Sequence, residues 1–135
     1  MINIVDSNSI TNRLKHFGYT VSETDYPIIE FELELILNYV VNYCNLPTVD
    51  DIPKILDHRI IDRVCSEFLM KQKNAGVLEG FNYDAFVKSI KEGDTQINFG
   101  TENDGDTPES RFDKLVEYLQ RGFDKWISRY RRILW

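Results

Sequence analysis

Histidine and cysteine are the rarest side chains of this chain that could act as general bases, nucleophiles or metal ligands, with two of each. His16 and His58 fall on different predicted helices, and neither has a histidine or cysteine neighbour at metal-ligand spacing. Cys44 and Cys65 are interpreted as small core residues, because isolated cysteines are more often buried than reactive. Two cysteines also make no disulfide framework. This indicates either that the protein resides in a reducing compartment or that its fold does not depend on the redox conditions. All four residues are therefore predicted to be structural.

Two further patterns could hold an ion or a phosphate. Glu102, Asp104 and Asp106 alternate like calcium-loop ligands, but the glycine after the third acid and the closing glutamate are missing. The glycines form neither a dinucleotide fingerprint nor a phosphate loop. The sequence therefore gives no support for catalysis, and we expect no enzyme activity, no cofactor and no metal.

The C-terminal ten residues have the composition of a binding segment. Trp126, Tyr130 and Trp135 are interleaved with arginines, as in protein-binding hot spots and in platforms that stack nucleic-acid bases. Isolated cations at this position would also complement the helix dipole. The chain finishes in Ile-Leu-Trp135, which would be an exposed apolar patch in water. We therefore expect this end to be buried against a partner.

Hydrophobic periodicity predicts the helices that must position these residues. A short helix is expected over Ser9–Phe17, and the last helix begins at Thr107-Pro108-Glu109 and runs to the chain end. A second helix begins near Thr24 or Asp25, and a third begins at Asp50-Asp51-Ile52-Pro53 and ends at Asn74-Ala75-Gly76. The apolar arc of the second helix is wide, so we expect it to be buried on more than one side.

Between the third and the last helix the period changes. Val87, Ser89 and Lys91 alternate with their neighbours, and residues 95–99 alternate again after a Glu-Gly-Asp turn. Two alternating runs around a glycine predict a β-hairpin over Val87–Phe99, although Tyr83 to Val87 could instead form a helical turn. The fold class is therefore predicted as mainly α, a small helical bundle with a β-hairpin insertion and a long C-terminal helix. We expect one domain over residues 1–135, with residues 1–22 as an N-terminal extension.

Composition and charge limit the function classes. Of 135 residues, 42% are hydrophobic and 13% aromatic, so the chain can bury a core of its own. The net charge is −6, whereas free-standing nucleic-acid binders are usually basic. Glu23 to Asp51 holds seven acids and no base, while Arg121 to Trp135 holds five bases and one acid. Such a molecule can associate head to tail with copies or partners, although solvated helix faces carry similar charges.

Residues 33–135 resemble the head–tail connector (adaptor) family of tailed bacteriophages and related defective prophages. The resemblance lies in Gly80-Phe-Asn-Tyr, in Val87-Lys-Ser-Ile-Lys-Glu-Gly-Asp-Thr-Gln-Ile-Asn-Phe99, in Ser110-Arg-Phe-Asp113 and in the closing Tyr130-Arg-Arg-Ile-Leu-Trp135. The segment from Arg63 to Lys73, which leads into Asn-Ala-Gly-Val, also resembles the family. The first thirty residues match no pattern of that family.

The resemblance implies a non-catalytic virion protein of the particle neck, present in the host cytoplasm during assembly. Neighbouring copies would form a homo-oligomeric ring, typically a dodecamer, beneath the phage portal protein. The ring would lengthen the DNA channel and link the capsid to a stopper or tail-terminator protein. DNA would pass through the lumen without specific binding, and no membrane is implied. A basic lining would grip phosphates, so we expect acids such as Glu30 and Glu34 to face the channel or solvent.

The resemblance also implies roles for named residues. In the family the end of the C-terminal helix (here within 107–135) inserts into the portal, which implies portal binding by Trp126, Arg129, Tyr130, Arg131, Arg132, Ile133, Leu134 and Trp135. It implies an inter-subunit or tail-facing contact for the hairpin residues Val87, Ser89, Ile90, Gly93, Asp94, Thr95, Ile97 and Phe99.

Two other functions stay open on the sequence. One is a stopper or tail-completion protein of the phage neck, and the other is a small regulator that binds nucleic acid through its basic C-terminal helix. DNA affinity that falls steeply with salt would indicate the regulator, because released counterions set that slope. Salt-insensitive assembly with a portal protein would indicate the connector.

Overall fold

The structure is a computed structural model that describes residues 6–78, 81–93 and 107–133. Within these ranges the chain forms five α-helices and no strand, which confirms a mainly α fold. The helices are α1 (Ser7–His16), α2 (Tyr26–Cys44), α3 (Asp57–Asn74), α4 (Tyr83–Gly93) and α5 (Pro108–Ile127). Short 3₁₀ turns lie at Glu23–Asp25, Val49–Asp51, Lys54–Leu56 and Ser128–Tyr130.

Local capping chemistry sets the starts of the first and last helices. The Asp6 carboxylate accepts a hydrogen bond from the Ser9 N–H at 2.9 Å at the start of α1. The Thr107 hydroxyl accepts one from the Ser110 N–H at 3.1 Å, and Pro108 follows at the first helical position of α5. The predicted start of the last helix is therefore confirmed, but its α-helical part ends at Ile127 and not at the chain end.

The third helix begins later than predicted. Ile52 and Pro53 are extended, with ψ of 125° and 133°, because a residue before proline is disfavoured in the helical region. The acids there cap a 3₁₀ turn instead: the Thr48 hydroxyl donates to the Asp51 carboxylate at 2.9 Å. The α-helix then begins at Asp57.

The predicted β-hairpin is wrong in its first half, since Val87, Ser89, Ile90 and Gly93 all lie in α4. Phe86, Val87 and Ile90 are buried at helical spacing, and burying this one face outweighs a five-residue alternation. The remaining hairpin residues, Asp94, Thr95, Ile97 and Phe99, lie outside the described residues.

Helix α3 lies at the centre of the bundle and packs against α1, α2 and α5, while α4 packs on α5. Helices α3 and α5 are antiparallel, since Lys73 pairs with Asp113 while the Arg63 guanidinium donates to the Gln120 carbonyl. The C-terminal ends of α2 and α5 meet where the Cys44 thiol donates to the Ile127 carbonyl at 3.3 Å. One apolar cluster draws residues from all five helices. This arrangement brings the end of the described chain beside the end of α2.

Candidate protein-docking surfaces

The segment after α5 is tied to the end of α2 by two hydrogen bonds. The Arg132 N–H donates to the Cys44 carbonyl at 2.8 Å, and the Asn45 side-chain amide donates to the Arg132 carbonyl at 2.7 Å. Asn45 can make its bond because it has left-handed backbone angles, φ 57° and ψ 42°, at the C-terminus of α2. We call residues 131–133 the C-terminal tail, and its backbone is extended at Arg131.

The tail anchor yields a stability prediction. Asn45→Ala is expected to lower the free energy of unfolding by about 1–3 kcal/mol, because alanine is strained in left-handed backbone and the bond to Arg132 is lost. Asn45→Gly relieves the strain and loses only the hydrogen bond, so urea unfolding should place it between alanine and the unsubstituted chain. Equal losses for the two variants would contradict the role given to the backbone angles.

Part of the predicted portal-binding set is covered within the chain itself. Trp126 is half-buried, with the Arg59 guanidinium 3.7 Å from its ring centroid and Tyr118 edge-on at 5.9 Å. Gly122 makes room for this indole, because a Cβ there would lie 3.2 Å from the Trp126 ring. Tyr130 is also partly buried against the core. Contacts within the chain therefore already shield these two aromatic side chains from part of the solvent.

The rest of that set faces outward as far as it is described. Arg129, Arg131 and Arg132 are exposed, and Ile133 is 74% exposed. The Arg131 guanidinium lies 5.4 Å from the centroid of the Tyr43 ring, a cation–π contact back to α2. Leu134 and Trp135 lie outside the described residues. The described part of the tail thus exposes two arginines and one apolar side chain, that of Ile133.

A second surface, which the sequence analysis missed, lies on α2. Four large side chains at spacings of three and four residues share one face of the helix and are exposed: Ile28 (40%), Phe31 (58%), Leu35 (45%) and Tyr39 (39%). We call these four residues the α2 stripe. Helix α2 packs against both α1 and α3, in keeping with the prediction that it is buried on more than one side, but the face with the α2 stripe is left partly exposed. A wide apolar arc is the one signal the sequence offered, and it does not tell a core contact from a docking surface.

The two edges of the α2 stripe differ in charge. Glu30 and Glu34 are exposed along one edge. Along the other, the buried Glu32 carboxylate accepts from Lys71 of α3, and the Tyr39 hydroxyl donates to Asp124 of α5. Partial burial and this bond to Asp124 raise the pKa of Tyr39 to about 12. One edge is therefore acidic and open, while the other is tied to α3 and α5.

The fold brings together the two histidines that the sequence placed on separate helices. His16 and His58 both line a cavity of about 670 Å³, together with Arg13, Arg59 and Asp62. Burial raises the pKa of Asp62, partly offset by Arg13, whose Nε donates to it at 3.0 Å. Within the part of the chain that the structure describes, no three histidine, cysteine or acidic side chains are grouped to hold a metal.

Both thiols lie in the apolar core, as predicted for Cys44 and Cys65. Burial raises the pKa of each thiol, and for Cys65 well above the usual value. A thiol held neutral at ordinary pH is a poor nucleophile. Glu102, Asp104 and Asp106, the other acids considered for chemistry, lie outside the described residues.

The described residues thus form a mainly helical bundle that carries a partly exposed apolar stripe on α2 and a cationic C-terminal tail. Comparison of the chain with protein-family models, with curated protein sequences and with solved structures found no match. Among the described residues, no helix combines the length and apolar character needed to cross a membrane.

Proposed function

We propose that this chain is a structural protein of the phage neck, a head–tail connector. In this proposal, copies form a ring beneath the portal protein, the ring extends the DNA channel, and a stopper or tail-terminator protein binds its far side. The C-terminal tail is the segment that enters the portal. The chain carries out no catalysis and acts in the virion, after a period in the host cytoplasm.

The observation that carries this proposal is the presentation of the C-terminal tail. Its backbone is fixed by two hydrogen bonds to the end of α2, while the side chains of Arg132 and Ile133 are exposed and Arg131 is exposed beside the Tyr43 ring. A segment held in one conformation before binding loses less entropy on docking. An anchored tail with an exposed isoleucine beside two arginines suits insertion into a cleft of a partner.

The charges of the exposed surface are compatible with a channel protein. The chain as a whole carries −6. A lumen of this sign repels phosphates and lets DNA slide, whereas a basic lining would retain it. In this proposal the arginines of the tail therefore lie in the portal contact and not on the lumen.

Substitution at Ile133 tests the proposal. Ile133→Asp is expected to weaken binding to the purified portal protein about tenfold or more, because an apolar contact at the docking end is replaced by a charge. The measurement is a binding isotherm with the portal immobilised, repeated at low and high salt. The loss is expected at both salt concentrations.

Ile55→Asp is the matched control, because Ile55 is 71% exposed and lies in the turn before α3. It is expected to leave portal binding unchanged, and both variants should unfold like the unsubstituted chain. Equal binding by the Ile133 and Ile55 variants would refute the tail as the docking segment. Binding to DNA in place of the portal, with a steep salt dependence, would refute the connector itself.

A further inference from the structure

The α2 stripe is only partly covered within the described part of the chain: Tyr39 bonds to Asp124 of α5, and the four side chains remain 39–58% exposed. We infer that it docks against the outer face of α5 on a second copy of this chain. This inference rests on the proposed ring and names the two surfaces that would join neighbouring copies.

The size of the α2 stripe indicates a protein partner. Its four side chains span twelve residues of helix, from Ile28 to Tyr39, or about 16 Å at ~1.5 Å per residue. Scattered exposed apolar residues are ordinary, but a continuous row of this length on one helix face marks an interaction site. Phe31 and Tyr39 add aromatic area, which is enriched at the centres of interfaces.

The open edge of the stripe selects the charge of that partner. Glu30 and Glu34 lie one turn apart on this edge, and no base occurs anywhere from Glu23 to Asp51. A partner that buries the stripe must therefore bring positive charge to that edge. Antiparallel pairing of two α2 helices would instead set the glutamate edges against each other, and like charges in contact are costly.

The outer face of α5 supplies the complementary chemistry within this chain. Arg121, Lys125 and Arg129 are exposed at four-residue spacing along α5 and the turn that follows it. Arg121 is 80% exposed even in its pair with Glu117, and such a surface pair holds its partner weakly. Tyr118 is half-buried beside the same row and gives it an apolar component.

A contact between these two different surfaces is head-to-tail. Each copy would offer its stripe to one neighbour and its α5 face to the other. Contacts of this kind build a ring when the rotation between copies closes. In a closed ring, the stripe and the outer α5 face of every copy would both be covered by a neighbour.

Site-directed cross-linking tests the pairing. The Leu35→Cys and Lys125→Cys variants are mixed at high concentration and treated with a short bifunctional thiol reagent. Native Cys44 and Cys65 are fully buried, so they should not react in the folded chain. We expect a covalent dimer that contains one chain of each variant, identified by mass spectrometry. A dimer of Leu35→Cys with itself, or no dimer at all, would overturn the inference.

Charge reversal provides the specificity control. Glu30→Lys with Glu34→Lys in the Leu35→Cys chain should reduce the cross-link several-fold. Reversing Arg121 and Arg129 to Glu in the Lys125→Cys chain should restore it. Phe31→Glu should abolish the cross-link, whereas Ile55→Glu, at a side chain that is even more exposed, should not change it. Absence of rescue by the double reversal would contradict the paired surfaces.

The cross-linking result can be distinguished from the result of the portal-binding experiment. Ile133→Asp is expected to lose portal binding and keep the cross-link, because the tail is not part of the α2–α5 contact. A cross-link without portal binding would overturn the connector proposal alone. Portal binding without the cross-link would overturn the pairing alone.

Discussion

Phe112→Ala is expected to lower the free energy of unfolding by about 3–5 kcal/mol, because it opens a cavity in the core. Phe112 is fully buried, and its ring lies 5.3 Å from Phe86 and 5.0 Å from Tyr83 between centroids. Phe86 in turn lies edge-on to Phe17 at 4.6 Å, so the rings join α5 through α4 to the end of α1. Urea unfolding monitored by circular dichroism gives the value.

Phe31→Ala is the matched control for this loss. The chemical change is the same, but Phe31 is 58% exposed on the α2 stripe, so its effect should stay within about 0.5 kcal/mol. Similar losses for the two variants would contradict the assignment of Phe112 to the core and of Phe31 to a free surface. The control also shows that the stripe can be altered for binding studies without unfolding the chain.

Lys71→Met is expected to cost about 1–3 kcal/mol, because it leaves the Glu32 carboxylate without its cation. The Glu32 side chain is only 4% exposed, and Lys71 is the ion-pair partner described for it. The Lys71 side chain is 52% exposed, so the loss should be smaller than for a fully buried pair. Thermal or urea unfolding measures it at neutral pH.

Lys73→Met, two residues along the same helix, is the comparison. Its partner Asp113 is 48% exposed and regains water when the pair is broken, so the expected cost is about 0–1 kcal/mol. If Lys73→Met costs as much as Lys71→Met, burial of Glu32 is not the source of the effect. Glu32→Leu should be close to neutral, since Lys71 can turn to solvent.

Local signals predicted much of the fold. Thr107-Pro108 combines a cap hydroxyl with a proline at the first position, and α5 begins there. The end of α3 was equally clear, since Gly76 takes a positive φ of 77° just after it. Such features depend on neighbouring residues alone, which a sequence displays directly.

Features that depend on tertiary packing could not be predicted in this way. Residues 87–91 satisfy an alternating and a helical pattern over so few positions that only the burial of Phe86 and Ile90 decides between them. His16 and His58 meet at one cavity because α1 packs on α3. The α2 stripe resembles a second core face in sequence, and only the positions of the other helices show that this face is open.

The C-terminal tail also combines features that the local sequence shows with features that depend on tertiary packing. Its composition indicated a binding end, but the sequence did not reveal that Arg59 stacks on Trp126 or that Asn45 fixes the backbone at Arg132. In the connector proposal, these contacts leave Arg131, Arg132 and Ile133 as the candidate portal contacts among the described residues. They also hold the backbone beside the exposed Ile133 in one conformation, which would lower the entropy cost of the proposed docking.

Electron microscopy of a purified phage portal protein, imaged alone and after incubation with the chain, tests the central claim most directly. The connector account predicts an added ring of density on one side of the portal, with the end of the chain entering it, and no such ring with Ile133→Asp. Portal images that are unchanged by the chain would contradict the account.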